Sequence, residues 1–548
     1  MDPGSTAPVP QAAPQDLGRK ASLVLASQVV GSVVGFVSLL VIGRWFEPAA
    51  YGLLVWAWTA MNIISLLADL GFSSAHVHFV GRGTDLTRSL GVYVRIRLAL
   101  TAAVAGLAVL AAVVWVEVLH RPVTVATTLP ILGAVLAMQV VSLLRQVALD
   151  TWVGRERVNR SEGTKAFDTA LTFLLLTLFG LAQAGAQGRW TPVGRLAPQL
   201  SAWLGMKAPW TPAEAGLALA VAYLTAKALS CIPAVWFWMR DRVHVGPWDL
   251  ALARQYARYA LPVVVAGAAA TLVGYTDVVM LGLLRTSYDV GQYAVAAKVA
   301  SVGLIVATSL GTPLLPRFSR LLHTGDDAKA RAILHRGERF LLLVVVPMSM
   351  SLVALARPVL HVAVGDRYLD AANPVRLMAL AVLLQAAMTP TGAKIMGGGR
   401  SRNAMVGTLL SVFVTAGLNL VLIPGGRFGL GLGATGAALS ALVATLVASA
   451  YLRIVLKRVF GLPVWDHVLT KMAFAAAILA TFWSGALAWF GPGAFDRVWE
   501  LAGWGFAGCL LFAATCRLLG LLGPDDVRAA WRMANPAALW RELRGRAS

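Results

Sequence analysis

The chain has 548 residues, of which 58% are hydrophobic and only 13% are charged, and its mean hydropathy is +0.71. A soluble chain normally carries a charged fraction of about 25%, so this composition excludes an ordinary soluble enzyme. The formal net charge is +21, but the basic residues lie in short connectors between apolar runs. That placement predicts topology signals and contacts with anionic lipids rather than nucleic-acid binding.

About fourteen apolar runs follow one another along the chain. The first are Ser22–Gly43 and Tyr51–Phe72, and the last are Val468–Phe490 and Trp499–Leu522. Each run has about 20 residues, which at about 1.5 Å per residue crosses a hydrocarbon core of about 30 Å. The first run is too long for a signal-peptide core. The predicted fold class is therefore all-α integral membrane, with about 14 transmembrane helices.

Alternate connectors between these runs differ in basic charge. One set begins with Arg19 and Lys20, ends with the tail after Arg517, and holds groups of basic residues. The opposite set holds mostly one or two, such as Arg121 and Arg285. By the positive-inside rule, both termini are predicted to be cytoplasmic. The expected location is the bacterial inner (cytoplasmic) membrane.

Two segments, Ile42–Gly52 and Leu281–Gly291, resemble each other. Each joins two apolar runs, and each carries one glycine at its second position and one at its last, nine residues apart. The copies are six runs apart, so they run in the same direction and are related by an axis along the membrane normal. This repeat predicts two six-helix lobes in one bundle, with two extra C-terminal helices.

The predicted domain organisation follows from the repeat. It consists of a disordered cytoplasmic N-terminus (1–16), an N-lobe with the first six helices (17–242), a C-lobe with the next six (243–462), two appended helices (463–522) and a basic amphipathic cytoplasmic tail (523–548). The tail interleaves tryptophans with arginines directly after a membrane helix, which is typical of a helix lying at the membrane surface.

Four segments also resemble one known family. Gly43–Gly52, followed by Asp69–Ala75, is similar to the opening of polysaccharide-biosynthesis membrane proteins, and so is Asp277–Leu284, which continues into Gly291–Lys298. These are Wzx-type oligosaccharide flippases of the multidrug/oligosaccharidyl-lipid/polysaccharide (MOP) exporter superfamily. The resemblance covers residues 17–462. It implies a V-shaped bundle that alternates between inward-open and outward-open states and moves an undecaprenyl-pyrophosphate-linked sugar to the outer leaflet. The partners it implies are a lipid-linked oligosaccharide, membrane lipids, and glycan polymerase and chain-length proteins of the same pathway.

Ionisable residues at mid-membrane depth are functional candidates, because burying a charge there is costly. Lys227 lies near the middle of the run Ala213–Met239, while Asp277 and Lys298 lie at matching depths of about 15 Å on two consecutive runs. Two interpretations stay open. In the first, Asp277 and Lys298 form an ion pair that ties their hairpin together. In the second, Lys227 and Lys298 line a cavity as counter-charges of a pyrophosphate, and Asp277 is released or protonated in an ion-coupled cycle.

Other charged residues lie nearer the basic connectors. Arg95 and Arg97 are one to two turns inside a run, where long side chains reach the interface; they are predicted anchors, or ligands of a cargo head group. Arg145, Asp168 and Lys394 are predicted to be anchors as well. Four polar residues are candidates for the cavity wall or for contacts between helices: Gln28, Asn62, Gln385 and Asn419.

The sequence predicts no cofactor, no metal site and no catalytic residue. Gly431–Gly436 matches the dinucleotide pattern, but it opens an apolar run and follows no strand. The leading hypothesis is a secondary transporter that flips a polyprenyl-pyrophosphate-linked oligosaccharide. A multidrug/cation antiporter of the same superfamily is the first alternative, although Lys227 and Lys298 favour an anionic cargo. A membrane glycan polymerase or glycosyltransferase is the second, but the longest outer connector, 186–212, contains no His, Asp or Glu.

Overall fold

A computed structural model describes residues 14–114, 125–188, 196–206, 208–311, 314–426, 429–463 and 467–523. Within these ranges the chain forms helices and short 3-10 turns, with no strand. The helices are α1 (Pro14–Trp45), α2 (Pro48–Asp69), α3 (Phe72–Gly81), α4 (Leu86–Val113), α5 (Val125–Gly154), α6 (Val158–Ala186), α7 (Leu196–Trp203), α8 (Pro212–Leu229), α9 (Cys231–Arg240), α10 (Leu250–Leu284), α11 (Ser287–Gly311), α12 (Leu314–His323), α13 (Asp327–Ala354), α14 (Ala356–Val364), α15 (Ala372–Gly397), α16 (Ser401–Leu422), α17 (Gly433–Phe460), α18 (His467–Phe490) and α19 (Val498–Leu518). The 3-10 turns are Asp366–Ala371 and Pro492–Phe495.

The predicted all-α membrane fold is confirmed. Ten segments of the described chain are long and apolar enough to cross a membrane. Shorter apolar stretches in α1 and α10, with the apolar helices α2 and α11, bring the total into agreement with the prediction of about fourteen crossings. Residues 1–13 and 524–548, which hold most of the predicted N-terminal segment and of the predicted basic tail, lie outside the described residues, whereas residues 14–16 belong to α1.

The predicted run Ala213–Met239 forms two helices instead of one. α8 ends at Leu229 and α9 begins at Cys231. Pro233 explains the break, because it has no N–H to donate to the carbonyl of Leu229 and its ring crowds that carbonyl. The hydroxyl of Ser230 donates a hydrogen bond of 2.7 Å to the carbonyl of Lys227. The break therefore occurs beside a candidate functional lysine.

The helices pack as two halves with an appended pair. We call α1–α9 the N-half and α10–α17 the C-half. Each half has its own buried apolar cluster, centred on α1, α2, α5 and α8 in the first and on α10, α11, α15 and α17 in the second. The appended α18 and α19 pack on α13, where Trp483 is fully buried and donates a hydrogen bond of 3.1 Å to Ser351.

The molecule has a closed end and a basic end. The closed end carries the α1–α2 and α10–α11 turns, where the two halves meet. The basic end is opposite and carries the arginine-rich connectors, including the one between α9 and α10.

Candidate functional site

The two glycine segments of the predicted repeat pack against each other at the closed end. A Cβ atom added at Gly52 would lie 1.7 Å from the carbonyl oxygen of Ser287, and one added at Gly291 would lie 1.9 Å from the carbonyl oxygen of Pro48. No side chain larger than hydrogen fits at such distances. We call this contact between α2 and α11 the glycine seal. It closes the space between the halves at this end.

The first glycine of each segment also faces the opposite half. A Cβ added at Gly43 would lie 2.4 Å from the Cβ of Val364, and one added at Gly282 would lie 1.8 Å from the indole of Trp56. The glycine spacing that suggested a repeat in the sequence thus corresponds to close packing between the halves.

At the basic end, the connector between α9 and α10 is held along α4. Arg95 donates hydrogen bonds of 2.7 and 2.8 Å to the carbonyls of Gly91 and Gly246. Asp249 pairs with the Arg88 side chain, and hydrogen bonds from a backbone N–H of α10 and from Arg88 hold the pKa of the Asp249 carboxyl below its usual range. Arg95 therefore contacts the protein's own backbone, and its predicted role as a head-group ligand stays a prediction.

Arg97 is buried inside the N-half. Its guanidinium is 2.6 Å from Asp69 at the end of α2 and lies 6.0 Å from the ring centroid of Tyr93. These contacts tie α4 to α2. They agree with the anchoring alternative for Arg97, and they leave a direct contact with cargo as a prediction.

Asp277 is buried in the C-half, but it does not pair with Lys298. The hydroxyl of Tyr293 donates to the Asp277 carboxylate at 2.7 Å, and the amide of Asn419 donates to its other oxygen at 2.7 Å. The ion-pair interpretation is therefore corrected. Matching depths placed the two residues at the same level, but Tyr293 and Lys298 are five residues apart on α11. At about 100° per residue, their side chains point about 140° apart.

Lys298 points toward the other half of the molecule instead. It is exposed, and its ammonium lies 3.8 Å from the position that a Cβ on Gly35 of α1 would occupy. Within the described part of the chain, Lys298 has neither an ion pair nor a side-chain hydrogen bond. A charge at this depth is stable only when it faces water or a counter-charge. The junction of α1 and α11 thus carries an uncompensated cation.

Lys227 lies in a buried charge cluster of the N-half. It pairs with Asp168 of α6, and the same carboxylate is 3.4 Å from the Arg145 guanidinium of α5. Arg145 also donates to Ser230 at 2.9 Å. Arg145 and Asp168 therefore lie at the level of Lys227 rather than near the connectors, which corrects their predicted depth. In the described residues the cluster holds two cations and one anion. Lys227 therefore has a carboxylate partner, whereas Lys298 has none.

This cluster predicts unequal effects of removing its members. We expect Asp168→Asn to destabilise the protein by about 3–5 kcal/mol, because two buried cations would lose the one carboxylate that they contact among the described residues. Lys227→Met should cost less, since Arg145 and Asp168 would remain as a neutral pair. Thermal unfolding of both purified variants in detergent measures the difference. A Lys227→Met variant less stable than Asp168→Asn would contradict this assignment.

The remaining polar candidates occupy different environments. Asn419 contacts Asp277, whereas Asn62 donates to the carbonyl of Trp58 at 2.9 Å within its own helix. Gln28 and Gln385 are exposed. Of the four polar candidates, Asn419 thus contacts an ionisable candidate, Asp277. A role of the other three in the cavity wall remains a prediction.

A second buried ion pair was not anticipated from the sequence. In the C-half, Glu338 is 2.9 Å from Arg453 and accepts a hydrogen bond of 3.0 Å from Thr391. Lys394, one turn further along α15, is also buried and lies 5.0 Å from the ring centroid of Phe460. The available signal was weak: Glu338 lies between Arg336 and Arg339, and Arg453 lies one turn before Lys457, so both resembled ordinary residues of the membrane interface.

Comparisons with known proteins agree with the family resemblance of the sequence. A family model described as "Polysaccharide biosynthesis protein" matches residues 213–373. No curated protein sequence matches the chain at a significant level. The lipid II flippase MurJ, in an inward closed conformation, superposes with a TM-score of 0.64 over 90% of this chain and 98% of that one, at 12% identity.

Two further solved structures are transporters. An inward-facing multidrug resistance MATE transporter of the MOP superfamily gives a TM-score of 0.56 at 14% identity, covering 78% of this chain and 95% of that one. A MOP superfamily transporter from Pyrococcus furiosus gives 0.50 at 14% identity, covering 81% and 96%. This chain has the MOP transporter fold. The predicted resemblance is confirmed at that level, and the chain is a multi-pass membrane protein.

Proposed function

We propose that this MOP-fold protein is a secondary transporter that flips a polyprenyl-pyrophosphate-linked oligosaccharide from the inner to the outer leaflet of a bacterial cytoplasmic membrane. In this proposal the basic end and both termini are cytoplasmic, in keeping with the placement of the connector arginines. The glycine seal closes the outer side, and transport requires it to open as the basic end closes.

The observation that carries the proposal is the exposed Lys298 ammonium at the junction of α1 and α11. A cation placed between the two halves favours an anionic cargo, and a pyrophosphate offers several oxygens for charge-assisted hydrogen bonds. Lys227 lies at a helix break, and irregular backbone inside a membrane is tolerated where it is buried or lines a cavity. Movement of α8 relative to α6 would let Lys227 exchange Asp168 for the cargo.

The alternative is a multidrug/cation antiporter with the same fold. That function is favoured by acidic residues facing the cavity. Asp277 instead accepts hydrogen bonds from Tyr293 and Asn419 and is buried in the C-half. The family model, which is described by polysaccharide biosynthesis, also supports the flippase. On this proposal the chain is not an enzyme, and a glycan polymerase of the same pathway receives its product.

We propose that Asp277 couples transport to an ion gradient, because a carboxylate between two movable donors can exchange them for a proton or a cation.

Asp277→Asn keeps the shape of the side chain and removes its charge. We expect the parent, reconstituted in liposomes with a fluorescent undecaprenyl-pyrophosphate glycan, to flip more cargo when a proton or sodium gradient is applied. Asp277→Asn should flip the cargo at the same rate with and without the gradient. A variant that still responds to the gradient would remove Asp277 from the coupling step, and a parent that moves no cargo would contradict the flippase proposal.

A further inference from the structure

A cavity of about 410 Å³ opens at the closed end, outside the glycine seal. This volume is within the range of about 300–1,000 Å³ that small-molecule sites occupy. Three separate parts of the chain line it: the end of α1, the last turn of α14 with the segment that follows it, and the start of α19 with the turn before it. The cavity is thus built from the N-half, the C-half and the appended pair together. We call it the closed-end cavity.

An exposed indole forms one wall of the closed-end cavity. Trp499, in the first turn of α19, is 67% exposed, and the guanidinium of Arg497 lies 5.5 Å from its ring centroid. Tryptophans at a membrane interface often serve only as lipid anchors. Trp489, at the end of α18, fits that description because it is 85% exposed and lies outside the cavity lining. Trp499 differs, since it lines a cavity together with charged side chains.

The cavity wall carries both donors and acceptors. In the described residues the Asp496 carboxylate has neither a hydrogen bond nor an ion pair. The Nη1 atom of Arg367 is buried without a hydrogen-bond partner and lies 3.9 Å from Glu47. The imidazole of His361 is 2.5 Å from Asp366. Carboxylates only accept hydrogen bonds and guanidinium groups only donate them, so a ligand that does both is matched best.

We propose that the closed-end cavity binds a sugar of the cargo's glycan, with the ring against Trp499 and its hydroxyls on Asp496 and Arg367. Sugar hydroxyls donate and accept, and the C–H face of a pyranose is apolar enough to pack on an indole. A phosphate would meet the carboxylates of Asp366 and Asp496 as well as the arginines of the same wall, whereas a neutral sugar forms hydrogen bonds with both kinds of group without charge repulsion. This inference rests on the proposed function, since it assigns the glycan to the part of the molecule that the cargo reaches last.

The position of the closed-end cavity links sugar binding to conformation. Arg44 at the end of α1 donates to the carbonyl of Ala363 at 3.3 Å, so the N-half and the C-half share the cavity wall. Opening the glycine seal would separate these parts and divide the cavity. A ligand that binds one state of a two-state protein shifts the population toward that state. A sugar of the cargo bound here, once the cargo has passed the glycine seal and while its glycan still touches the protein, would therefore favour closure of the outer side.

Saturation-transfer NMR on the full chain in nanodiscs tests the site without requiring transport. The probes are free glucose, galactose, N-acetylglucosamine and glucuronic acid. We expect at least one of these sugars to receive saturation from the parent, mainly at the protons of one ring face. Trp499→Ala should lose this signal, Trp499→Phe should keep part of it, and the matched control Trp489→Ala should keep all of it.

The outcomes separate this site from the transport function. No sugar signal in the parent, or equal signals from Trp499→Ala and Trp489→Ala, would overturn the sugar site even if the protein flips its cargo. Binding of inorganic phosphate that Arg367→Gln removes and Trp499→Ala preserves would reassign the cavity to an anion. A sugar signal that depends on Trp499 in a protein that flips no cargo would support the site and contradict the proposed function alone.

Discussion

Replacing Gly52 with alanine is expected to open the closed end of the transporter. The added methyl group would lie 1.7 Å from the Ser287 carbonyl oxygen, which belongs to the backbone and cannot rotate away. Overpacking of this kind typically costs about 1–3 kcal/mol. Since about 1.4 kcal/mol is a factor of ten in an equilibrium, the closed state should lose roughly ten- to a hundredfold in relative population. The rate of cargo flipping should fall as well, because transport needs both alternating states and one of them is disfavoured.

A buried reporter cysteine measures this opening. Val290 is fully buried beside the glycine seal, so Val290→Cys in a background without the native cysteines should react slowly with a membrane-impermeant maleimide. Gly52→Ala should accelerate the reaction. The matched control is Gly31→Ala on α1, where an added Cβ meets nothing within 4 Å. Equal labelling rates for the two alanine variants would show that the seal does not depend on the absence of a side chain at Gly52.

Replacing Lys298 with alanine is expected to weaken binding of the pyrophosphate-linked cargo by roughly ten- to a hundredfold. The estimate follows from the about 1.5–3 kcal/mol that a hydrogen bond to a charged group contributes. Lys298→Arg should retain most of the affinity, because it keeps the charge and the donors. The measurement is the dissociation constant of a fluorescent undecaprenyl-pyrophosphate glycan for the protein in nanodiscs.

A second lysine provides the control for general charge effects. Lys329, in the first turn of α13, is 75% exposed on its side chain and pairs with Asp326. Lys329→Ala removes one positive charge at the basic end and should leave cargo affinity unchanged. If Lys298→Ala and Lys329→Ala weaken binding equally, the net charge of the protein, and not a cavity contact, accounts for the affinity. Exchanging Asp277 and Lys298 should fail to restore binding, because the two residues do not pair.

The features that could be predicted are those that depend on short segments of the chain. The apolar runs determine where helices cross the membrane, since an unpaired backbone group is too costly in hydrocarbon. The matching glycine spacings that end at Gly52 and Gly291 predicted an internal repeat, with the glycines in two separate hairpins. That they pack on each other across the halves depends on tertiary arrangement, which no short segment encodes.

The pairing of buried charges could not be predicted in the same way. Depth along a helix follows from counting residues, and it placed Asp277 level with Lys298. Partner choice depends on the direction in which each side chain points, and a rotation of about 140° sends the two apart. Arg145 and Asp168 illustrate a second cause. Their distance from the connectors suggested interface anchors, but the packing of α5 and α6 against α8 brings both to Lys227.

The most direct test of the account compares two cargoes in one set of proteoliposomes. The first is a fluorescent undecaprenyl-pyrophosphate glycan, read by its accessibility at the outer surface, and the second is a cationic dye, read by its efflux under the same gradient. We expect the parent protein to move the pyrophosphate-linked glycan, Lys298→Ala to move it at least about tenfold more slowly, and neither protein to transport the dye. Dye efflux without glycan flipping would contradict the central claim and identify the chain as a cation antiporter with the same fold.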